Sequence, residues 1–545
     1  MTNYDILKKR SIVCQKDVTF NKEKMKIKLF AVIILPLLFN LSCDSQDIDE
    51  VIQTDRSTVH GQYDSESDTY SFKGVPFAEP PIDSLRWQEP KPIVEHLGVI
   101  DGSEFGSICM QQEPIPFSMW TQEFIAPAGN MSEDCLTLNI WTKSGEVDEK
   151  RPVMVFIHGG GFSSGSGSVP IYDGAEMASK GVVFVTINYR VGIYGFLAHP
   201  ELTEESSNQF SGNYGLLDQI EALKWVQRNI AQFGGDPGNV TIAGQSAGAF
   251  SVHYLVASSL AEGLFHRAIA ESGGAMLPTN ELARNNNLSR AELAGSEVES
   301  LLNKESISEL RNVPADELLT VQRRFAPIID GYVLSAPILE LYQNGEFNDV
   351  PIILGWNRDE GNFFGGIQSA EQFQQTVAER YGEFAEEFLA EFPADNDSIA
   401  AESQFELGSL QTFGLQAWMW ANSQNEKGSS DVFMYHFTRK VPYGENQEPF
   451  GAFHTAEVPY TLNNLHMGDE RPWEEVDLEL AERMSDYWIN FAKNGDPNGE
   501  GLPQWRSFSS ESYETLYLDR EIELKEVPSL DQLRVLEKIH THFLE

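Results

Sequence analysis

Short, continuous apolar runs recur along the chain and predict strands that are buried on both faces of a sheet. Three such runs, Val153–Ile157, Val240–Ala243 and Val350–Leu354, are each followed by a segment that contains glycine. Residues 214–233 instead repeat their apolar positions with the 3.6-residue period of a helix. A more polar region, roughly residues 290–345, is also predicted to be rich in helix.

One of the glycine segments, Gly244–Gly248, matches the pattern G-x-S-x-G. It lies between the apolar run at 240–243 and a helix-forming stretch, Ala249–Leu255, which is the setting in which this pattern holds a nucleophilic serine. The glycines leave room for the helix to pack back on the strand while Ser246 takes a strained turn. An ordinary tight turn is the alternative interpretation of the pentapeptide alone.

The segment after the first apolar run, His158–Phe162, reads His-Gly-Gly-Gly-Phe. Acyl transfer develops negative charge on a carbonyl oxygen, and backbone N–H groups aimed at that oxygen stabilise it. Such a glycine segment upstream of G-x-S-x-G is the expected partner of the serine. The predicted donors are the N–H groups of Gly160, Gly161 and Ala247, and a merely flexible glycine loop is the alternative.

A nucleophilic serine needs a base, and in this order of motifs the histidine follows the serine in the chain. His454 lies in a loop-like stretch, Phe450–Glu457, and loops on a rigid scaffold often carry catalytic groups. It is therefore the predicted base. Other histidines beyond the serine fall in predicted helices, in a strand or at a junction: His253, His266, His436, His540 and His542.

The acid that orients the base is expected after a strand, because catalytic groups gather at the carboxyl ends of parallel strands. Glu360 and Asp359 both follow the apolar run Val350–Leu354. From the residues alone Glu360 is favoured, Asp359 is the alternative, and a plain solvated turn is the third interpretation.

Further motifs accompany these segments in order along the chain: Phe72–Ala78, Ser132–Asn139, Asn188–Gly192, Phe233–Pro237 and Asn490–Pro497. Together they make the chain resemble the type B carboxylesterase family of α/β hydrolases, which includes cholinesterases and bacterial para-nitrobenzyl esterases, over about residues 50 to 535. The resemblance implies an α/β-hydrolase fold: a large, mostly parallel central sheet flanked by helices, with helical insertions over the cleft. The region at 290–345 is the predicted insertion.

The resemblance selects Glu360 over Asp359 and supports His454. It implies a serine carboxylic-ester hydrolase, in which Ser246 attacks the ester and forms an acyl-enzyme. Short to medium or bulky aromatic esters are the expected substrates. Relatives with this fold that have lost the triad serve as binding or adhesion proteins, which is the alternative function.

Three further expectations come from the resemblance. Cys109 and Cys135 are expected to form a disulfide, which would stabilise the fold by roughly 3 kcal/mol on the entropic model. Ser272 is expected near the acid of the triad. Arg86 and Glu133 are expected to form a structural ion pair.

Two positions argue against choline esters. Cholinesterases carry a glutamate immediately before the nucleophile and a tryptophan in the loop between the cysteines. Here Gln245 and Ile125 stand at those positions, and Trp120 lies nearby but out of register.

The N-terminus has the features of an export signal. A basic segment, Lys24–Lys28, precedes an apolar run, Leu29–Leu41, that is too short to span a bilayer comfortably. Ser42 and Cys43 then resemble a bacterial lipoprotein site, and simple secretion is the alternative. We expect export to the cell envelope, with membrane attachment through Cys43. The predicted parts are a leader at 1–43, an acidic tether at 44–50 and a single carboxylesterase domain at 51–545.

Charge excludes some partners. The formal net charge is −43, and residues 1–42 carry eight basic and three acidic residues, so the remaining chain is near −48. Such a chain is not expected to bind nucleic acid. No metal-ligand spacing or phosphate-binding loop is found, so no metal and no cofactor are predicted, and no sequence feature predicts an oligomeric state.

Overall fold

The apolar runs form strands of one central sheet in the computed structural model, which describes residues 47–278, 286–361, 366–444, 449–468 and 471–544. The predicted leader and Cys43 lie outside the described residues. The strands are β1 (Val51–Gln53), β2 (Thr58–His60), β3 (Gln62–Asp64), β4 (Thr69–Pro76), β5 (Val99–Asp101), β6 (Ile108–Cys109), β7 (Met131–Ser132), β8 (Thr137–Lys143), β9 (Arg151–Ile157), β10 (Val183–Ile187), β11 (Gly235–Gln245), β12 (Arg267–Glu271), β13 (Ile352–Asn357), β14 (Val432–Phe437), β15 (Glu514–Leu518) and β16 (Glu523–Glu526).

Eleven of these strands make the central sheet, in the order β16-β15-β14-β13-β12-β11-β9-β10-β8-β4-β3. All neighbours from β15 across to β10 pair in parallel. The outer strands β16, β8, β4 and β3 pair antiparallel. The prediction of a mostly parallel sheet is confirmed. All residues of β9, β10, β13 and β14 are buried, which explains why their sequences are mostly apolar.

The third apolar run was expected to be a strand from residue 350, but β13 begins at Ile352. Pro351 has no N–H to donate to a ladder, which is the physical reason for the later start. The strand instead continues through Trp356 to Asn357. Its carboxyl end therefore lies directly beside Asp359 and Glu360.

Helices flank the sheet, and the predicted helix at 214–233 is confirmed as a 16-residue helix that ends in a 3₁₀ turn at Ile230–Phe233. The helices are α1 (Ala175–Ser179), α2 (Gly192–Phe196), α3 (Pro200–Glu205), α4 (Tyr214–Asn229), α5 (Ala247–Ala257), α6 (Leu288–Leu301), α7 (Ile307–Arg311), α8 (Ala315–Leu318), α9 (Ile338–Asn344), α10 (Ala370–Tyr381), α11 (Ala385–Glu391), α12 (Asp397–Ser409), α13 (Leu415–Lys427), α14 (Val458–Thr461), α15 (Glu475–Asn494) and α16 (Leu530–His542).

The region at 290–345 contains α6 to α9, joined by irregular segments, which fits its weak periodicity. Arg86 connects it to the rest of the protein. Its guanidinium donates to the backbone oxygens of Leu310, Arg311 and Val313 at 3.3, 3.0 and 2.7 Å. The same group donates from Nε to Glu133 at 2.7 Å. The expected Arg86–Glu133 pair is therefore present, and it anchors this insertion.

The start of the packed chain lies before residue 51. Ile48 is buried, and its N–H donates to the backbone oxygen of Gly145 at 2.8 Å. Residues 47–50, which were expected to belong to an acidic tether, therefore pack on the body because Ile48 supplies an apolar side chain. Within the described ranges, no helix combines the length and the apolar character that crossing a membrane requires.

Burial disfavours the protonated form of a histidine, and three of the buried histidines show this effect strongly. Burial lowers the pKa of His158 to about 4 and the pKa values of His253 and His436 to about 3. His253 stacks on Trp420 of α13, with ring centroids 3.7 Å apart. All three are therefore neutral imidazoles at neutral pH.

The fold is expected to lose stability as the pH falls below about 6.5, the ordinary histidine pKa. Between that pH and the lowered values, the unfolded chain binds more protons than the folded chain, so the free energy of unfolding falls with pH. Urea unfolding at pH 7.5, 6 and 5 measures this loss. His253→Phe keeps a flat ring against Trp420 and should reduce the loss, whereas replacing the exposed His60 by Phe should not. Equal slopes in both variants would contradict the prediction.

Candidate active site

Ser246 lies on a sharp turn between β11 and α5. Its backbone angles are φ 55° and ψ −123°, in the left-handed half of conformational space that residues with a side chain rarely occupy. The turn is held to the neighbouring strand β12, because the Ser246 N–H donates to the backbone oxygen of Glu271 at 2.9 Å. Such strain persists only where surrounding structure enforces it.

The glycines of the turn are required by close packing. A Cβ at Gly248 would overlap the backbone oxygen of Ile157 in β9. One at Gly244 would lie 2.6 Å from the Gly248 carbonyl carbon. The absence of side chains at both positions therefore lets α5 approach the sheet and presents the Ser246 hydroxyl at its carboxyl edge.

His454 and Glu360 complete a chain of hydrogen bonds with this serine. His454 Nε2 lies 2.8 Å from Ser246 Oγ, and His454 Nδ1 lies 2.7 Å from Glu360 Oε1. A carboxylate oxygen accepts, so Nδ1 carries the proton and Nε2 is free to accept from the hydroxyl. His454 and Glu360 are both buried. The structure brings together the three residues that the sequence predicted.

Asp359, the alternative acid, makes other contacts. Its carboxylate pairs with Arg358 at 2.6 Å and accepts from the Ala452 N–H at 2.7 Å. It therefore contacts the backbone of the loop that carries His454, whereas Glu360 contacts the ring.

The glycine segment after β9 lies next to Ser246. The Cβ position of Gly159 would lie 3.2 Å from Ser246 Cβ. Gly160 and Gly161 have φ values of 106° and 61°, which glycine adopts without strain. No described residue accepts a hydrogen bond from either N–H. Ala247 is the first residue of α5, where an N–H has no partner within the helix.

Aromatic side chains surround the imidazole. Phe413 stacks on it at 4.7 Å between ring centroids, and Trp120 stands edge-on at 6.3 Å. The Trp120 indole N–H donates to Thr455 Oγ1 at 3.1 Å. Phe413 lies in a π-helical turn, Leu410–Gly414, between α12 and α13, a type of irregularity that is frequent at functional sites. No sequence signal marked this turn or Phe413.

Trp120 belongs to the loop that the disulfide closes. Cys109 and Cys135 are bonded, as expected, and both are buried. Gln245 also lies against the imidazole, with its Nε2 atom 3.3 and 3.5 Å from the two ring nitrogens of His454.

Behind Glu360 lies a second buried carboxyl group, Glu457, which sequence reasoning missed. Its oxygens accept from Ser272 Oγ at 3.3 Å and from the side-chain amide of Asn357. The Asn357 N–H donates to Glu360 Oε2 at 3.2 Å. Ser272, which was expected near Glu360, contacts Glu457 with its hydroxyl group. The only signal for Glu457 in the sequence was its position, three residues after His454.

Two buried carboxyl groups that interact with each other, Glu457 and Glu271, resist ionisation. Burial, and then the charge of Glu360, raise the pKa of Glu457 to about 7. Burial and the charge of Glu457 raise the pKa of Glu271 well above its ordinary value. A carboxyl group whose pKa is raised in the folded state contributes stability that is fully present below about pH 4.5, its ordinary pKa. That stability is lost as the pH rises through the pKa of the folded state. Glu457 thus stabilises the fold below about pH 7, whereas the stability contributed by the buried histidines is lost as the pH falls.

The described residues contain no group of three or more histidine, cysteine, aspartate or glutamate side chains that could hold a metal ion.

Replacing Gly248 by Ala is expected to abolish the function of the serine turn. The added methyl group would displace α5 from β9, and overpacking of this kind typically costs about 1–3 kcal/mol of stability. Thermal unfolding and reactivity of Ser246 toward an arylsulfonyl fluoride measure both effects. Gly238→Ala is the control, because its Cβ would meet only an Asp236 oxygen at 3.2 Å. Normal serine reactivity in Gly248→Ala would refute the packing argument.

Comparison with known proteins agrees with this geometry. The profile of the carboxylesterase family matches residues 48–536. The chain is 37% identical to fumonisin B1 esterase of Sphingopyxis macrogoltabida, over 81% of this chain and 82% of that protein. It is 33% identical to para-nitrobenzyl esterase of Bacillus subtilis, over 89% and 98% respectively. A solved structure of PNB esterase superimposes with a TM-score of 0.74 at 31% identity, covering 89% of this chain and 99% of that one. The chain belongs to the carboxylesterase family and is an ester-hydrolysing enzyme.

Proposed function

We propose that this protein hydrolyses carboxylic esters through a triad of Ser246, His454 and Glu360. The observation that carries the proposal is the continuous chain of hydrogen bonds, 2.8 Å from serine to imidazole and 2.7 Å from imidazole to carboxylate. Nucleophile, base and orienting acid within hydrogen-bond reach are the arrangement that activates a serine hydroxyl.

The proposed reaction steps follow from where the protons of Ser246 and His454 lie. His454 Nε2 takes the hydroxyl proton as Ser246 Oγ attacks the ester carbonyl, and the carbonyl oxygen becomes an oxyanion. The N–H groups of Gly160, Gly161 and Ala247 are proposed to hold that oxyanion. His454 then gives its proton to the leaving alcohol, which leaves an acyl-enzyme. A water molecule repeats the cycle and releases the acid.

Glu360 supports the imidazole at each step. It fixes the tautomer with the proton on Nδ1 and stabilises the imidazolium that forms during attack. Phe413 covers one face of the ring and Gln245 lies against it, so the imidazole has little freedom to turn.

The surroundings of the site support apolar substrates of short to medium chain, or bulky aromatic esters. Gln245 carries no charge, so the position before the nucleophile offers no anion to a cationic alcohol group. Ile115 and Phe117, on the disulfide-closed loop, are 65% and 59% exposed. The Phe117 ring lies 4.9 Å from the Trp120 ring. Exposed apolar side chains that lead to Trp120, beside the histidine, suit an apolar ester group.

Ser246→Ala is expected to lower kcat for para-nitrophenyl acetate by about 10⁴-fold or more, and Glu360→Gln by about 10⁴-fold. Neither change alters side-chain volume much, so the melting temperature should stay near that of the wild type. Ser259→Ala, which removes an exposed hydroxyl just beyond α5, is the control and should keep full activity. A Ser246→Ala enzyme with more than about a tenth of the wild-type rate would rule out the triad, because known triad losses are far larger.

Para-nitrophenyl esters from acetate to palmitate test the substrate range. We expect short and medium acyl chains to be hydrolysed faster than palmitate, and benzyl esters to be accepted. A folded wild-type protein that hydrolyses none of these esters would favour the alternative of a non-catalytic binding protein.

We also infer export and lipid attachment at Cys43. A basic and apolar segment precedes this cysteine, and the buried Cys109–Cys135 disulfide suits an oxidising compartment. Cys43→Ala is expected to abolish labelling by radioactive palmitate and to move the protein from the membrane to the soluble fraction. Cys14→Ala is the matched control in the same leader. Labelling that survives Cys43→Ala would exclude this anchor.

A further inference from the structure

The last residue of β13 and the segment that follows it contact the loop 451–457 at successive points. The side-chain amide of Asn357 donates to the Phe453 oxygen at 2.8 Å. Glu360 accepts from the His454 ring. Between these two contacts along the segment lies Asp359, whose contacts are made with the loop backbone.

Asp359 and Ala452 are joined by two hydrogen bonds. The Asp359 N–H donates to the Ala452 oxygen at 3.0 Å, and the Ala452 N–H donates to Asp359 Oδ2 at 2.7 Å. Arg358 in turn donates from Nε to Asp359 Oδ1 at 3.0 Å and from Nη2 to Oδ2 at 2.6 Å. The carboxylate is thereby fixed between a guanidinium and the loop.

The charge of this carboxylate is maintained although the group is partly buried. Burial acts to raise the pKa of Asp359, but the Arg358 hydrogen bond and the Ala452 N–H outweigh it, so the pKa lies below its ordinary value. A charged acceptor makes a stronger hydrogen bond to a backbone N–H than a neutral one.

The loop is shaped to receive this carboxylate. Gly451 has a φ of 72°, and a Cβ at that position would overlap the Asp359 carboxylate. The Gly451 oxygen accepts from the Val441 N–H at 3.2 Å. The backbone immediately before His454 is therefore located by Asp359 on one side and by Val441 on the other.

We propose that Asp359 is a positioning residue for the reaction: it holds the backbone two residues before His454, so that the ring stands between Glu360 and Ser246. This inference rests on the proposed function of the triad. Two residues span at most about 7 Å of chain, so a displacement at Ala452 is passed to the histidine with little room for compensation. A misplacement of about 1 Å can cost about 100-fold in rate.

The same strand supplies a matched control at its other end. Asp349, just before β13, accepts from the N–H groups of Ser429 and Ser430 at 2.7 and 3.2 Å. It also accepts from the Gln424 side chain at 2.8 Å. Asp349 thus clamps a turn by the same kind of contact, but at the amino end of the sheet strand, away from Ser246.

The test compares Asp359→Ala and Asp359→Asn with Asp349→Ala, using para-nitrophenyl acetate. Asp359→Ala should lower kcat by about 10- to 100-fold with KM nearly unchanged, because the lost interaction orients the base and does not bind substrate. Asp359→Asn retains an acceptor oxygen for the Ala452 N–H, so its loss of kcat should be smaller. Asp349→Ala should lower the melting temperature without lowering kcat.

A second readout separates positioning from general destabilisation. A carboxylate hydrogen bond favours the protonated imidazole, so looser Glu360–His454 pairing should shift the acidic limb of the pH–rate profile to lower pH. We expect this shift in both Asp359 variants and not in Asp349→Ala. Asp359→Asn serves as the decisive variant if Asp359→Ala does not fold.

The outcomes distinguish the two proposals. A wild-type enzyme without Ser246-dependent hydrolysis would remove the proposed function, and this inference with it. A wild-type enzyme that loses activity in Ser246→Ala, while every Asp359 variant that folds keeps the wild-type kcat and pH profile, would overturn the role of Asp359 alone. Equal kinetic losses in the Asp359 and Asp349 variants would also overturn it, because they would indicate general destabilisation.

Discussion

The strained backbone at Ser246 is the constraint on which the site depends. A residue with a side chain at φ 55° and ψ −123° is held there only by its surroundings. Gly248 lets α5 approach β9, and a Cβ at Gly273 would lie 2.7 Å from the Ser246 oxygen. The turn is thus enclosed on both sides by backbone. Core packing at the centre of the sheet and presentation of the hydroxyl are consequences of the same contacts.

Parallel pairing brings the remaining groups to that hydroxyl. Gly160 follows β9, Ser272 follows β12, Glu360 follows β13 and His454 lies beyond β14. Because adjacent parallel strands end at the same edge of the sheet, segments that lie hundreds of residues apart in the sequence meet there. The loop with His454 has little regular structure of its own, so side chains at the neighbouring strand end contact it and fix its position: Asn357, Asp359 and Glu360.

This architecture explains which parts could be predicted from the sequence. Buried parallel strands have continuous apolar sequences, and the strained turn requires glycine, so both leave a local pattern around Ser246. The residues alone favoured Glu360 but left Asp359 open as the alternative, because both follow the same strand end. Only the path of the turn directs Glu360 to the ring and Asp359 to the backbone. Phe413 left no pattern and Glu457 left only its place three residues after His454, since a π-helical turn and a buried carboxyl group depend on tertiary contacts.

The electrostatics of the interior follow from where a positive charge can form. Glu271, Glu360 and Glu457 are all buried close together, and three ionised carboxylates there would repel one another at low dielectric. Only Glu360 contacts a group, His454, that becomes cationic when it takes a proton. A charge on Glu360 therefore faces His454 directly, whereas a charge on Glu457 would lie beside Glu360 as well as near His454. The raised pKa of Glu457, about 7, leaves this carboxyl group mostly protonated below pH 7, which limits the negative charge in this buried network.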